Sequence, residues 1–500
     1  MASHNPHPIS TDRKEPWLPA VGEVAVVTVP FPIQSHLNQL LHLSYLISSH
    51  GIPVHYVATT THIQQAKLRF HGLDLASSVD AGNGKHHHHH VHFHGFEISP
   101  FPSPPADPNA TSKFPSHLLP AFEAVSSHLC PHVVDLVRSL ASGPTKRVVV
   151  IRDSLMSSVV QDVLSLSKTE SYIFQCISAF SICWFFANDE TFGHHLATLG
   201  EYGEVLLKYP SPEDGCFPDE FVKYMELQSK LMHLTSGSLY NTSRILEEPF
   251  IELLKNIAGN QKQWAVGPFN PVMVRADGPK DKCIEWLDGH PENSVIYVSF
   301  GTTVTLSKDQ IHEIALGLEG SGHRFIWVLR QADRGDIFDR EASEGRGTAD
   351  SLLSLPVGFE QRVEGVGLVM REWAPQHEIL RHPSVGGFMS HCGWNSCMES
   401  VKSGVPIVAW PMHGDQLPNC ILVTRVLKVG IMVKEWSVLM KGGVVESSAI
   451  KQAVEVILGL EEGDGMRKRV GELGKAIQPS PGDGGVSLAE LDSFIAHITR

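Results

Sequence analysis

Short apolar runs alternate with helical hydrophobic patterns in the first half of the chain. Val24–Val29 is rich in β-branched residues and predicts a strand. The leucines after it recur near one face of a helix that ends close to Ile47. Further strands are predicted at 54–58 and 148–151, and a helix over 155–166. This alternation is typical of a parallel sheet with crossover helices.

The same alternation starts again in the second half of the chain. A strand is predicted over 294–300, followed by a helix over 307–320 with Ser307 as its cap and Gln310 as its capping-box partner. A later helix opens near Asn395. The remaining predicted strands cover 325–329, 367–370, 385–389 and 405–410. The chain therefore contains two α/β halves.

A stretch with spaced glycines and prolines, beginning at Trp264, separates these halves. The predicted organisation is a flexible tail (1–22), a first domain (23–265), a linker (266–282), a second domain (283–480) and a terminal segment (481–500). The terminal segment is a predicted helix with Leu488, Leu491 and Ile495 on one face. Loops are expected at 80–90, which ends in five histidines, and at 333–351. We predict an α/β fold of two Rossmann-like domains facing across a cleft, with ligands at the carboxyl ends of the strands.

Composition and charge narrow the function. The chain has 500 residues, which fits two domains, and a formal net charge of −14. That charge argues against general binding to nucleic acid or to membrane surfaces. The longest apolar region, 172–187, is interrupted by polar residues and is too short for a bilayer. The eight cysteines form no CxxC pair. We expect a cytoplasmic monomer that does not insert into membranes.

Several common catalytic motifs are absent. The turn after Val24–Val29 lacks the glycines of GxGxxG, which disfavours a dinucleotide oxidoreductase. Neither GxxxxGK[ST] nor GxSxG occurs. His377 and His382 are five residues apart, whereas a zinc-protease helix needs a spacing of four.

One long segment carries most of the functional information. From Trp373 to Gln416 the chain reads WAPQHEILRHPSVGGFMSHCGWNSCMESVKSGVPIVAWPMHGDQ. This segment resembles the 44-residue signature box of plant UDP-sugar-dependent glycosyltransferases that act on small molecules. The resemblance implies a GT-B fold, a UDP-sugar donor, a small hydroxylated acceptor and no cofactor. It also implies that the last helix crosses back onto the first domain.

The resemblance assigns the nucleoside to residues near the start of the box and to one glutamate. Trp373 offers a flat face on which uracil stacks. The backbone of Ala374 reads the edge of the base, and Gln376 reaches the ribose. Glu399 accepts hydrogen bonds from the ribose hydroxyls.

The diphosphate is assigned to the turn HCGWNS, which leads from a predicted strand into a helix. Unpaired N–H groups at a helix start attract phosphate. By the resemblance, His391, Asn395 and Ser396 add side-chain donors. Thr302 and Thr303 match a small hydroxyl-bearing loop near the diphosphate, and either of them could make the contact.

The transferred sugar is assigned to Asp415 and Gln416, together with Trp394 and Ser178. A carboxylate beside an amide can hold adjacent hydroxyls. Glutamine at the last position of the box is associated with glucose, and histidine with galactose.

The acceptor side is assigned to His36 and Asp153. Each follows a predicted strand of the first half. In the family such a histidine is the general base, and the aspartate orients its ring and stabilises the imidazolium. The implied reaction is a single displacement with inversion. We expect no metal, because the sequence shows no carboxylate cluster that would require one.

The N-terminal sequence indicates one branch of this family. The segments HLNQLLHLS and VHFHGF resemble the zeatin O-glucosyltransferase branch. The predicted activity is therefore glucosylation of a cytokinin hydroxyl. The alternatives are the same reaction on a flavonoid or other phenolic, and a non-catalytic protein that binds sugar nucleotides.

Overall fold

The computed structural model describes residues 23–69, 91–110, 112–210, 217–259, 261–269, 281–338, 353–478 and 485–500. The predicted tail, the histidine run, most of the linker and residues 339–351 lie outside the described residues.

The first half folds around a parallel sheet of seven strands in the order β3-β2-β1-β4-β5-β6-β7. Every residue of β1 and β2 is buried, as expected for strands covered on both faces. The strands are β1 Val24–Val29, β2 Val54–Thr59, β3 Val91–Phe96, β4 Arg147–Asp153, β5 Thr169–Gln175, β6 Gly237–Tyr240 and β7 Lys262–Ala265. The helices around it are Gln34–Ser48, Thr60–Arg69, Leu119–Ser142, Ala179–Phe185, Glu190–Leu196, Glu201–Lys208, Asp219–Ser229 and Arg244–Ile257.

The second half repeats this arrangement with six parallel strands in the order β10-β9-β8-β11-β12-β13. The strands are β8 Val295–Ser299, β9 Arg324–Val328, β10 Gly367–Met370, β11 Val385–Ser390, β12 Ile407–Ala409 and β13 Gly430–Met432. The helices are Lys282–Asp288, Lys308–Ser321, Phe359–Arg362, Gln376–Arg381, Trp394–Ser403, Gln416–Ile421, Trp436–Leu439, Ser447–Gly459, Glu461–Ile477 and Val486–Ile498.

In each sheet the chain order reverses beside the first strand, which creates a crevice at the carboxyl ends of neighbouring strands. His36 follows β1, Asp153 ends β4, and the turn HCGWNS follows β11. The prediction of two Rossmann-like domains is confirmed.

Two local predictions are wrong. Residues 155–166 do not form an α-helix. They contain two 3₁₀ segments, Ser154–Val160 and Val163–Ser165, and Met156 has non-helical backbone angles. Ser307 does cap its helix, but Gln310 does not complete a capping box. The Gln310 side chain instead bonds the N–H and the carbonyl of Val445, at 2.8 and 3.0 Å.

The helix Val486–Ile498 packs against the first domain. Leu491, Phe494 and Ile498 are buried in the same cluster as Tyr172 and Trp264. The predicted face is therefore correct for Leu491 and for Ile495, which also packs on this cluster, but wrong for Leu488, which is 44% exposed.

None of the described helices combines the length and the apolar character that crossing a membrane requires.

Candidate active site

A cavity of about 290 Å³ lies between the two domains at the carboxyl ends of their strands. Residues from both halves of the chain line it. With the exception of Asp153 and Ser178, every residue predicted for the site is among them.

His36 and Asp153 meet at the acceptor side of this cavity. The His36 Nδ1 atom is 2.7 Å from Asp153 Oδ2. Asp153 is fully buried, and its Oδ1 atom accepts a hydrogen bond from the Leu155 N–H at 2.9 Å. Because Nδ1 is hydrogen-bonded to the Asp153 carboxylate, Nε2 is the ring nitrogen of His36 that can reach a substrate in the cavity.

Cys176, which no motif indicated, completes this cluster. Its Sγ atom donates to Asp153 Oδ2 at 3.1 Å, and burial raises the pKa of the thiol well above its usual range. His36, Asp153 and Cys176 place an imidazole nitrogen, a carboxylate oxygen and a sulfur within 4.8 Å of one another. No other such group occurs in the described part of the chain. Since these atoms share hydrogen bonds, a metal ion would have to displace the protons between them.

The helix Trp394–Ser403 begins directly below the cavity. Its first N–H groups have no partner within the helix, and Gly393 caps it without a side chain. A Cβ atom on Gly393 or on Gly301 would lie 2.5 Å from His391 Nε2, so both glycines make room for this imidazole. Burial lowers the pKa of His391 to about 4, which keeps the ring neutral. The site can therefore seat an anion through N–H donors.

Asn395 and the two threonines have partners in this structure. The Asn395 Nδ2 atom donates to the Ser35 carbonyl of the first domain at 3.1 Å. Thr302 accepts the N–H of Asp333 on its carbonyl at 2.7 Å. The Thr303 hydroxyl lies 3.1 Å from His413 Nε2. Both threonines line the cavity, so either hydroxyl remains a candidate for the diphosphate contact.

At the end of the cavity that is predicted to bind the nucleoside, Trp373 lies next to an arginine that the sequence did not indicate. The Arg69 guanidinium lies 4.6 Å from the centre of the Trp373 ring. Arg69 belongs to the first domain and forms an ion pair with Asp333 of the second, with Nη2 3.0 Å from Oδ1. The interdomain contact therefore reaches the predicted uracil platform.

Gln376, Ser396 and Glu399 form one hydrogen-bonded group. Gln376 Nε2 donates to Ser396 Oγ at 2.9 Å and to Glu399 Oε2 at 2.8 Å. Burial raises the pKa of Glu399 to about 7, although the Gln376 amide opposes this effect. The predicted ribose ligands are thus placed side by side on two adjacent helices.

At the sugar end the hydrogen bonds fix the orientation of the Gln416 amide. Its Oε1 atom accepts the N–H groups of Met412 and His413, at 3.0 and 3.2 Å. Its Nε2 atom lies 3.1 Å from His413 Nε2. Burial lowers the pKa of His413 to about 3, so the ring is neutral, and its Nε2 atom must be the acceptor because the Gln416 NH2 group facing it can only donate. Gln416 therefore offers an N–H donor to the cavity.

Trp394 and Ser178 are placed differently from each other. The Trp394 indole N–H donates to the Asn241 carbonyl at 2.8 Å, and the ring, although it borders the cavity, is 3% exposed. Ser178 is fully buried and caps the helix Ala179–Phe185. This position does not fit the predicted contact between Ser178 and the sugar.

Comparisons with known proteins agree with this geometry. Residues 22–271 match the model of the glycosyltransferase N-terminal domain, and residues 274–457 match that of the UDP-glucoronosyl and UDP-glucosyl transferases. Zeatin O-glucosyltransferase of Phaseolus lunatus is 48% identical, and the match covers 97% of this chain and 98% of that protein. Zeatin O-xylosyltransferase of Phaseolus vulgaris is 47% identical, with coverage of 96% and 98%.

A solved structure of a glycosyltransferase from Siraitia grosvenorii in complex with UDP is also similar. Its TM-score is 0.70 at 26% identity, and the match covers 95% of this chain and 100% of the other. The resemblance and the GT-B fold predicted from the sequence are thereby confirmed. The chain therefore belongs to the UDP-glucoronosyl and UDP-glucosyl transferase family and is a UDP-dependent glycosyltransferase.

Proposed function

We propose that this enzyme transfers glucose from UDP-glucose to a hydroxyl of zeatin. The observation that carries the catalytic part is the contact between His36 and Asp153 at the edge of a cavity that both domains line. The nearly full-length similarity to a zeatin O-glucosyltransferase supports the acceptor.

In the proposed reaction His36 Nε2 accepts the proton of the acceptor hydroxyl. Asp153 holds the ring through Nδ1 and stabilises the imidazolium that forms. The acceptor oxygen attacks the anomeric carbon from the side opposite the leaving group, so the configuration inverts. His36 follows β1 of the first sheet and the helix Trp394–Ser403 follows β11 of the second, so the proposed base and the proposed diphosphate seat line one cavity from opposite domains.

UDP leaves toward the start of the helix Trp394–Ser403. The N–H groups there and the neutral His391 donate to the diphosphate as its charge grows. We assign the uracil to Trp373 and Ala374, and the ribose to Gln376 and Glu399. Asn395 and Ser396 add side-chain donors at the phosphates, and either Thr302 or Thr303 adds a hydroxyl.

We assign the glucose to Asp415 and Gln416. Asp415 lines the same cavity as His36; burial raises its pKa to about 6, and the charge of His36 opposes this rise. The carboxylate accepts from one sugar hydroxyl, and the Gln416 amide donates to another. Trp394 forms the wall beside them.

We further propose that the reaction needs no metal, because the helix start can compensate the diphosphate charge and the atoms of the His36 cluster are hydrogen-bonded to one another.

Both halves of the site come from one chain, which supports action as a monomer. All seven described cysteines are free thiols, which a reducing cytosol would maintain.

The test is a panel of acceptors with purified enzyme, read by mass spectrometry. It contains trans-zeatin, cis-zeatin and common flavonoids, each with UDP-glucose and with UDP-xylose. We expect a zeatin O-glucoside as the main product. A flavonoid preferred over both zeatins would contradict the proposed acceptor, and preference for UDP-xylose would contradict the proposed donor.

A further inference from the structure

Asn419 lies beneath the sugar end of the site and is fully buried. It belongs to the helix Gln416–Ile421, one turn after Asp415. No motif singled it out. Its side-chain amide touches four polar groups, two from each domain.

The partners of Asn419 fix the orientation of its amide. Nδ2 lies 3.0 Å from the Cys392 carbonyl and 2.9 Å from Asp415 Oδ2, and both of these groups are acceptors. Nδ2 must therefore face them with its two hydrogens. Oδ1 then faces the first domain, where it lies 2.8 Å from Ser178 Oγ and 2.9 Å from Ser181 Oγ.

The two serines are themselves held firmly. Their hydroxyls are 2.6 Å apart, and Ser178 Oγ accepts the N–H of Ser181 at 3.0 Å. The same helix start is anchored by the buried Glu247, which accepts the N–H of Phe180 at 2.8 Å. The serine pair is thus a rigid surface of the first domain.

A continuous set of buried hydrogen bonds therefore runs from Ser178 and Ser181 of the first domain through Asn419 to the Asp415 carboxylate of the second. We call this set the relay. We propose that Asn419 is a positioning residue that transmits docking of the Ser178–Ser181 pair to Asp415 and so sets this carboxylate for the hydroxyls of the donor sugar. The inference rests on the proposed role of Asp415 in sugar binding. It also gives Ser178 a function, because this residue supports the sugar site from behind without touching the sugar.

The donor itself allows a selective test, because UDP lacks the group that Asp415 holds. In Asn419→Ala we expect the affinity of the full-length enzyme for UDP-glucose to fall about tenfold, while its affinity for UDP stays within about twofold. Titration calorimetry measures both. Equal loss of UDP and UDP-glucose affinity would overturn the proposal, since it would mean a general structural defect.

The serines provide a second route if Asn419→Ala does not fold. The double variant Ser178→Ala, Ser181→Ala keeps the amide and should weaken UDP-glucose binding in the same selective way. The single variant Ser178→Thr retains a hydroxyl at this position and leaves Ser181 intact, so it should keep most of the affinity for UDP-glucose. The matched control is Thr424→Ala, which removes a buried hydroxyl that donates to the Cys420 carbonyl four residues earlier and should change neither affinity. A double variant with normal UDP-glucose binding would refute the relay.

Asp415→Ala separates this inference from the proposed function. If Asp415→Ala leaves UDP-glucose affinity unchanged, the sugar role of Asp415 is wrong. If it weakens that affinity but Asn419→Ala does not, only the relay is wrong. If both weaken it, adding Asn419→Ala to Asp415→Ala should have no further effect, because both changes remove the same contact. Additive losses would contradict the relay.

Discussion

The Nδ1 atom of His36 lies 2.7 Å from Oδ2 of Asp153, although 117 positions separate them in the chain. The sheet explains this contact. β1 pairs with β4 in parallel, with Val29 opposite Arg152, so the chain leaves both strands at the same edge. A base and its orienting carboxylate therefore meet because two adjacent strands end together.

Replacing His36 by alanine should abolish most of the transfer. We expect kcat to fall by about 10²–10⁴-fold, because the acceptor hydroxyl loses its general base. Initial rates with zeatin and UDP-glucose measure this effect. UDP affinity, measured by calorimetry, is the control and should stay within about twofold of the wild-type value. Turnover close to wild type would remove His36 from the proposed mechanism.

Asp153→Asn tests the orienting role separately. An asparagine keeps the shape, but its amide can present an N–H to Nδ1 and favour the wrong tautomer of His36. We expect kcat to fall on the order of 10²–10⁴-fold. Zeatin binding to the variant, measured without donor, should be nearly unchanged. A variant that fails to bind zeatin would indicate that Asp153 shapes the acceptor site instead.

Much of the fold was predictable because local patterns coincide with buried elements. The strand Val24–Val29 has the predicted bounds, since a β-branched run followed by prolines leaves little alternative. Residues 155–166 did not follow their helical pattern. Asp153 caps this segment through the Leu155 N–H, but Met156 departs from helical backbone angles, so a continuous α-helix does not form. Leu488 was misplaced because a short amphipathic segment leaves its rotation to tertiary contacts.

The site was predictable where a contiguous motif covered it. Trp373 and Gln416, the two ends of the box, both line the cavity. No sequence motif indicates Arg69, Cys176 or Asn419. These residues reach the site only through packing between strands or domains. His413 lies within the box, but its role depends on the orientation of Gln416, which the sequence does not reveal.

Gln416→His should reduce the use of UDP-glucose. Histidine cannot accept both backbone N–H groups and also donate to the sugar, so the amide contact is lost. One hydrogen bond corresponds to about a tenfold decrease in kcat/KM for UDP-glucose. Competition between UDP-glucose and UDP-galactose measures the preference. The assignment of Gln416 fails if the ratio of the two products does not change.

Treatment with a chelator should leave the activity unchanged. The proposed compensation of the diphosphate charge uses N–H groups of the helix Trp394–Ser403, which need no ion. The enzyme is assayed after incubation with EDTA and again after addition of Mg²⁺ or Zn²⁺. A large loss that one of these ions restores would contradict the metal-free reaction and would direct attention to His36, Asp153 and Cys176.

The last helix offers a direct test of how the terminal segment stabilises the first domain. Phe494 is fully buried against Tyr172 and Trp264, with ring centres 5.2 Å from each. Phe494→Ala should lower the free energy of unfolding by about 3–5 kcal/mol, because it leaves a cavity. Leu488→Ala, on the same helix but 44% exposed, is the matched control and should change it by less than about 0.5 kcal/mol. Urea unfolding followed by tryptophan fluorescence measures both variants, and equal effects would show that the helix does not dock through Phe494.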